Sequence, residues 1–334
     1  MIKPPPYSWS RKRVLVTGAT GFIGPWVVHA LLEQGAAVAA LIRDPHRPSE
    51  LARSGDLDRI RVVQGAIEHF EILAEAIKNE RIETVFHLAS TNRNVGADFS
   101  PLPTFETNVR GTYNLLEACR VHGEQVSSIV VASSNEAYGK TPQARAEREP
   151  RHGPHPYEAS KRCVELMCQS YAATYGLSIS TLRCPNIYGG GDLNWQRIIP
   201  GTIRSLLHGE RPVLRTDGSF TCSYLYVMDL VSAFLLLAET RGRGVTYGFP
   251  DANPLSVLEV VRQLISLSQR DDLTPRIHNT DPHEIATRHV MTMTDTVDQL
   301  GWRPAYSLEE GLWETLAWYR EYFHYQPAEA GRIG

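Results

Sequence analysis

The sequence of 334 residues lacks several features that would assign a class at once. Its five cysteines, at 119, 163, 168, 184 and 222, form no CxxC pair, so neither a zinc site nor a disulfide framework is expected. That usage fits a reducing, cytoplasmic setting. No apolar run approaches the roughly 20 residues that span a bilayer, which excludes a membrane helix. The opening MIKPPPYSWSRKR has no apolar core of the secretory kind, so no leader is expected. Neither sign of charge is in excess: 34 basic against 37 acidic residues give a net charge of −3. Nucleic acid and anionic membrane surfaces are therefore not expected partners. No internal repeat or low-complexity tract is present. What remains is ordinary: 42% hydrophobic and 21% charged residues, enough to exclude disorder for most of the chain.

The first half alternates short β-branched runs with helical patterns. Strands are predicted at 13–17 (RVLVT), 37–42 (AVAALI), 61–63, 84–88 (TVFHL), 128–132 (SIVVA) and 178–182 (SISTL). Helices are predicted at 22–33, through 72–77, at 104–121 and at 157–175. Apolar strands alternating with helices imply a doubly wound parallel α/β sheet covered on both faces. After about residue 184 the pattern changes. Residues 186–193 (NIYGGGDL) and 215–223 read as loops, with helices at 198–207, 227–238, 256–267 and 308–322. We expect a dinucleotide-binding domain over 1–184 and a mainly substrate-binding, smaller lobe over 185–334, some of whose segments return to the core.

The segment Thr17-Gly18-Ala19-Thr20-Gly21-Phe22-Ile23-Gly24 follows the first strand and opens a helix. Its GxxGxxG spacing supplies a tight turn at Gly18, close backbone approach at Gly21 and tight helix–strand packing at Gly24. The helix start then offers N–H groups and a positive dipole end to a pyrophosphate. In this strand–turn–helix setting the motif points to a nicotinamide dinucleotide. At the end of the second strand stand Arg43 and Asp44. Asp44 suits ribose hydroxyls, and Arg43 suits a 2′-phosphate, a slight lean to NADP over NAD.

Tyr157-Glu158-Ala159-Ser160-Lys161 is YxxxK, which puts both functional side chains on one helix face a turn apart. An ammonium near a phenol favours the phenolate, and a phenolate can take a proton. About twenty residues upstream, Ser133-Ser134 ends the fifth strand with hydroxyls that can orient a substrate oxygen. Cys222 has no paired histidine in its motif and reads as a small buried residue. His87 reads as structural.

These motifs resemble the extended short-chain dehydrogenase/reductases that act on nucleotide sugars. The resemblance runs through TGATGFIG (17–24), HLAS (87–90), TNVRGT (107–112), SSNEAYG (133–139), YEASK (157–161), RCPNIYGGGD (183–192), RIIP (197–200), YLYVMD (224–229) and LGWRPAYSLEEGL (300–312). It is strongest to CDP-glucose 4,6-dehydratases and related sugar dehydratases. It implies a Rossmann core, a catalytic set of Ser134, Tyr157 and Lys161, a supporting Asn108, and a homodimer built on the helices 104–121 and 157–175. Further cofactor contacts are implied for Thr20, Phe22, Ile23, Ile67, Leu88, Ala89, Ser90, Asn108, Cys184, Asn186 and Ile187, and for Tyr157 and Lys161 themselves.

The reaction turns on Ser134-Asn135-Glu136. A 4,6-dehydratase oxidises C4, removes the C5 proton, expels the C6 hydroxyl and returns hydride to C6. Glu136 stands where such enzymes hold the C5 base. Asn135 stands where many hold an acid, and an amide cannot donate a proton as one. The leading expectation is a nucleotide-sugar 4,6-dehydratase in which Glu136 relays the proton. A 4-epimerase is the first alternative; a non-catalytic redox sensor on the same fold is the second. The pyrophosphate-gripping arginine of relatives is here Cys222. Arg197, Arg215 and Arg288 are candidate replacements, with Asn135 and Asn186 as further substrate contacts.

Overall fold

A computed structural model describes residues 8–91, 100–138, 155–249, 254–278 and 297–325. The chain divides into two compact units. The first comprises residues 1–184, 230–250 and 291–303, and the second 185–229, 251–290 and 304–334.

The first unit is built on strands β1 (Arg13–Thr17), β2 (Ala37–Ile42), β3 (Arg61–Gln64), β4 (Thr84–His87), β5 (Ser128–Ser134) and β6 (Ile179–Cys184). An edge strand, β11 (Val245–Tyr247), joins them later in the chain. All pair in parallel, in the order β11-β6-β5-β4-β1-β2-β3. The order reverses between β1 and β4, which brings the ends of both strands beside the glycine turn. Helices α1 (Gly24–Glu33), α2 (Phe70–Asn79), α3 (Gly111–His122) and α4 (Pro156–Tyr175) intervene. Leu15, Leu41, Leu73, Ile77, Leu115, Val131 and Val164 are buried in one cluster of sheet and helix side chains.

Two departures from the sequence pattern bear on the site. The helix expected over 104–121 contains a π-helical turn at Glu106–Arg110 between a short α-segment and α3. The Thr112 hydroxyl donates to the Asn108 carbonyl at 2.5 Å, and the Asn108 side chain is bonded to neighbouring elements, so tertiary bonds compete with helix regularity. The fifth strand also runs two residues beyond its apolar stretch, to Ser134, in register with Cys184 of β6.

In the second unit the two segments read as loops each hold a short strand. Strand β7 (Asn186–Tyr188) pairs in parallel with β10 (Tyr224–Tyr226), and β9 (Thr221–Cys222) pairs antiparallel with β12 (Leu255–Ser256). Strand β8 (Val213–Leu214) pairs with β13 (Arg276–Ile277). Helices are α5 (Ile198–Leu207), α7 (Val257–Ser268) and α8 (Leu308–Tyr325); α6 (Val227–Thr240) starts here and continues into the first unit. Gly190 lies against the Trp318 ring, where a Cβ would come within 2.3 Å of it. Among the described residues no helix is long and apolar enough to cross a membrane.

Candidate active site

The glycine turn is sterically enforced at two of its three positions. Gly18 has φ +74°, and a Cβ on Gly24 would meet the Gly18 carbonyl oxygen at 2.2 Å. Gly21 differs. It is exposed, and a Cβ there would touch nothing closer than the Gly18 oxygen at 3.2 Å. That contact is tight but milder than those at Gly18 and Gly24. No side chain caps the start of α1, and no acidic residue stands in its first turn. These residues fit a dinucleotide pyrophosphate.

The strand ends beyond the turn are held by one continuous chain of hydrogen bonds. Ala89 N–H donates to Thr17 Oγ1 (3.2 Å), which lies 2.8 Å from His87 Nδ1. His87 Nε2 lies 2.9 Å from Thr112 Oγ1, whose proton is already given to the Asn108 carbonyl. His87 Nε2 is therefore the protonated nitrogen, and Nδ1 accepts from Thr17. Full burial, with the Lys161 charge adding to it, pushes the His87 pKa down to about 3, so the ring is neutral throughout the physiological range.

Asn108, carried by the π-turn, extends this chain. Its Oδ1 accepts from Thr91 N–H (2.8 Å) and Ser90 Oγ (3.1 Å). Its Nδ2 donates to the Thr91 carbonyl (3.1 Å) and to Ser160 Oγ (2.8 Å), and Ser160 in turn donates to the Tyr157 carbonyl (2.7 Å). Asn108 thus ties the segment after β4 to the helix turn that carries Tyr157.

The start of α4 is fixed by Pro156 and by His155, whose Nδ1 caps Tyr157 N–H at 3.3 Å. Tyr157 is half-buried and Lys161 buried, with Lys161 Nζ 5.9 Å from the tyrosine ring centroid. Lys161 Nζ donates to the Ala132 carbonyl at 2.9 Å. Burial brings its pKa down to about 8; the neighbouring Cys184, Glu165 and Cys168 act the other way. Ser134 Oγ accepts the Glu136 N–H at 3.2 Å, and the short turn Asn135–Tyr138 is tied to α4 by Arg162, which donates to the Ala137 carbonyl. Ser134, Glu136, Tyr157, Lys161 and Asn108 are thereby linked through β5, this turn and α4. Asn135 Oδ1 is buried without a partner among the described residues.

Other expected positions fall as follows. Arg43 and Asp44 are exposed after β2; Asp44 accepts the His46 N–H at 3.0 Å, and Arg43 makes no ion pair among the described residues. The Ile67 side chain is buried in the core against Gly111. Thr20, Phe22, Ile23, Leu88 and Ala89 are partly buried near the turn or the end of β4, and Ser90 is exposed. Cys184 is partly buried at the end of β6, its thiol pKa pushed up to about 12 by burial.

In the second unit Asn186 is exposed and Ile187 half-buried on β7. Arg197 Nη1 bonds Asp192 Oδ2 at 3.1 Å; the Asp192 carboxylate is raised by burial, opposed by that arginine. Arg215 is exposed. Cys222 is buried on β9 and in hydrogen-bond contact with the Tyr224 side chain. Arg288 lies outside the described residues.

Sequence reasoning passed over Glu165 and Arg183, and took Ser133 only as a hydroxyl beside Ser134 that could orient substrate, whereas its Oγ donates to Glu165. Glu165 continues the Tyr157–Lys161 face at the next i+4 step, a spacing that could have marked it.

The model of the NAD dependent epimerase/dehydratase family matches residues 14–248. The chain belongs to that family. It is 30% identical over 333 residues to the CDP-glucose 4,6-dehydratase of Salmonella typhimurium, covering 93% of this chain and 91% of that protein. Among solved structures it superposes on the UDP-glucose 4-epimerase of Thermotoga maritima with UDP-glucose (TM-score 0.81, 27% identity, 93% and 99% coverage). It superposes also on the dTDP-glucose 4,6-dehydratase of Bacillus anthracis in complex with NAD (TM-score 0.80, 26% identity, 94% and 98% coverage). The chain is accordingly an enzyme of this superfamily, in which nucleotide-sugar dehydratases and epimerases both occur, with the dinucleotide cofactor site typical of the family.

Proposed function

We propose that the enzyme is a nucleotide-sugar 4,6-dehydratase. The observation that carries this reading is Glu136. Its backbone is pinned to Ser134 Oγ, so a carboxylate belongs to the same turn as the serine that would orient the reacting hydroxyl. Gly18, Gly21 and the start of α1 would hold the cofactor pyrophosphate. When bound, the nicotinamide supplies hydride acceptance and return. Tyr157 Oη would take the proton of the sugar C4 hydroxyl, with Ser134 orienting that oxygen and the Lys161 ammonium favouring the phenolate. Once C4 is a ketone, its neighbouring C5 proton is acidified. Glu136 would remove that proton and pass it to the departing C6 hydroxyl, which leaves as water.

One observation favours a 4-epimerase instead. Asn135 stands where an acid could protonate the leaving hydroxyl, and an amide cannot. Epimerisation needs no second acid.

Arg43 supports NADP because its guanidinium has no ion pair among the described residues, whereas Asp44 already accepts from His46. Nucleotide-sugar recognition is assigned to the second unit, with Arg215 as the phosphate-facing cation. A homodimer is part of the reading as well. Leu102, Phe105, Tyr113, Leu166 and Tyr175, on and beside α3 and α4, are large apolar side chains left exposed.

Mass spectrometry of a nucleotide-hexose panel incubated with the enzyme in D₂O tests the reaction. A product lighter by water and carrying one solvent deuterium supports the dehydratase. A new isomer of unchanged composition replaces it with the epimerase. Glu136→Gln should stop water loss while sparing C4 oxidation.

A further inference from the structure

Behind the active-site strand lies a buried ion pair to which the reaction above gives no part. Glu165 on α4 has no solvent exposure. Its Oε1 accepts from Ser133 Oγ at 2.6 Å and from Arg183 Nε at 2.8 Å, and its Oε2 accepts from Arg183 Nη2 at 2.6 Å. Arg183 lies on β6 directly across from Ser133 in the sheet register. The carboxylate is thus gripped bidentately by one strand and bonded by the next.

The placement is specific. Tyr157, Lys161 and Glu165 follow one another at helical steps of four along one face of α4. Lys161 holds the carbonyl of Ala132, and Glu165 holds the hydroxyl of Ser133. Two consecutive residues of β5 are therefore fastened to two consecutive turns of the helix, and the next residue is Ser134. A buried ion pair is weak evidence for stability, because apolar side chains of similar volume often serve as well or better. Here both partners are spent on fixing the strand end against the helix that carries the proton-transfer pair.

We propose that Ser133, Glu165 and Arg183 form a positioning bracket, which sets Ser134 against Tyr157 and Lys161 and supplies the counter-charge for the Lys161 ammonium. The proposal rests on Tyr157 being the base. Among the described residues Glu165, itself paired with Arg183 of β6, is the one carboxylate acting on Lys161; the others are Tyr157 and Cys168 on the same helix, Cys184 on β6 and the neutral His87 on β4. Its negative charge keeps the lysine protonated to higher pH than burial alone would.

The test uses the cofactor-loaded enzyme and two readouts. The first needs no substrate: the phenolate of Tyr157 is titrated by ultraviolet difference spectroscopy against Tyr157→Phe in the same background. Glu165→Gln is expected to move that titration to higher pH, because a lysine that loses its proton earlier stabilises the phenolate less. The second is turnover of the nucleotide hexose identified in the D₂O panel. Ser133→Ala and Glu165→Gln are expected to lower kcat by about tenfold with KM changed less than about twofold, since small misplacement of a reacting group costs rate rather than binding. Ser133→Thr, which keeps the hydroxyl, should recover most of the loss.

Glu165→Met/Arg183→Met removes the ion pair while keeping its volume. If this variant folds with stability near that of the wild type and retains kcat and the phenolate titration, the bracket is merely structural and the proposal falls. If it does not fold, unchanged kcat and titration in both Ser133→Ala and Glu165→Gln overturn it equally. The absence of any phenolate signal assignable to Tyr157 in the wild type, or an active Tyr157→Phe, would instead strike the assignment of the base.

Discussion

Lys161→Met should reverse the order of stability between variant and wild type as pH rises, and the size follows from where the amine sits. Lys161 is 4% exposed, and burial brings its pKa from 10.5 to about 8. In the unfolded chain the amine keeps its ordinary value. Below about pH 8 both states carry the charge, and the native state bears the full cost of burying it. Between pH 8 and 10.5 the unfolded state binds more protons, so native stability rises with pH across that window. At about 1.4 kcal/mol for each pKa unit, the gain reaches about 3 kcal/mol. Methionine has comparable volume and no charge. It loses the bond to the Ala132 carbonyl, at a pH-independent cost of about 1–3 kcal/mol. The two proteins, stripped of cofactor, would be unfolded in urea at several pH values from 7 to 10.5 and followed by circular dichroism. Cys119, Cys168 and Cys184 are pushed up to about 12 by burial, so they stay protonated in both native proteins across this range and their contribution cancels in the difference. The stability of the variant relative to wild type should fall by about 3 kcal/mol over the range. Parallel curves would refute a buried lysine that takes up its proton at the active site.

Tyr157→Phe should lower turnover by about 10²-fold or more while the cofactor dissociation constant changes less than about twofold, measured by fluorescence titration; a variant near wild-type activity would remove Tyr157 as the base. Arg43→Ala should weaken NADP and leave NAD unchanged in calorimetry, and equal effects on both would take the arginine away from the 2′-phosphate. Arg215→Ala should loosen nucleoside diphosphates, because Arg197 is already engaged by Asp192 and Cys222 carries no charge. Leu166→Glu with Tyr175→Glu should shift the sedimentation profile toward monomer at micromolar concentration, and an unaltered profile would place the subunit contact elsewhere.

How much was legible depended on whether the signal was local. Strand β1 runs Arg13–Thr17 as its RVLVT run predicts, and β2 likewise matches AVAALI. Continuous β-branched and apolar runs bounded by a glycine or a polar turn leave few other readings. Strands β7 and β9 were hidden because two or three residues carry no periodicity; they exist through their partners β10 and β12. The π-turn at 106–110 was equally invisible, since the sequence is plainly helical and the irregularity comes from Asn108 bonding Ser160 and Thr91. His87 was legible as a strand-end residue but not as the hub joining Thr17 to Thr112, which needs the parallel register of β1 with β4. Glu165 shared the helix face of Tyr157 and Lys161 in plain view. A helical glutamate is ordinarily solvated, and only Arg183, on the following strand, makes its burial possible.

The two positions where the sequence reading expects a departure from the family pattern fall one in each unit, Asn135 in the first and Cys222 in the second. In the first unit Ser134, Lys161, Asn108 and the neutral His87 are each held by hydrogen bonds, and Tyr157 is anchored through its backbone carbonyl, while Asn135 Oδ1 is buried without a partner among the described residues. In the second unit Cys222 is buried, set in β9 opposite Leu255 and beside Tyr224. Of the candidate arginines, Arg197 shares its charge with Asp192. A guanidinium paired with a carboxylate offers a phosphate less net field than a lone one, and a thiol pairs with no anion at all. With Cys222 uncharged and Arg197 paired, the proposed dehydratase should hold the phosphates of its substrate through Arg215, which the loss of nucleoside diphosphate binding in Arg215→Ala checks.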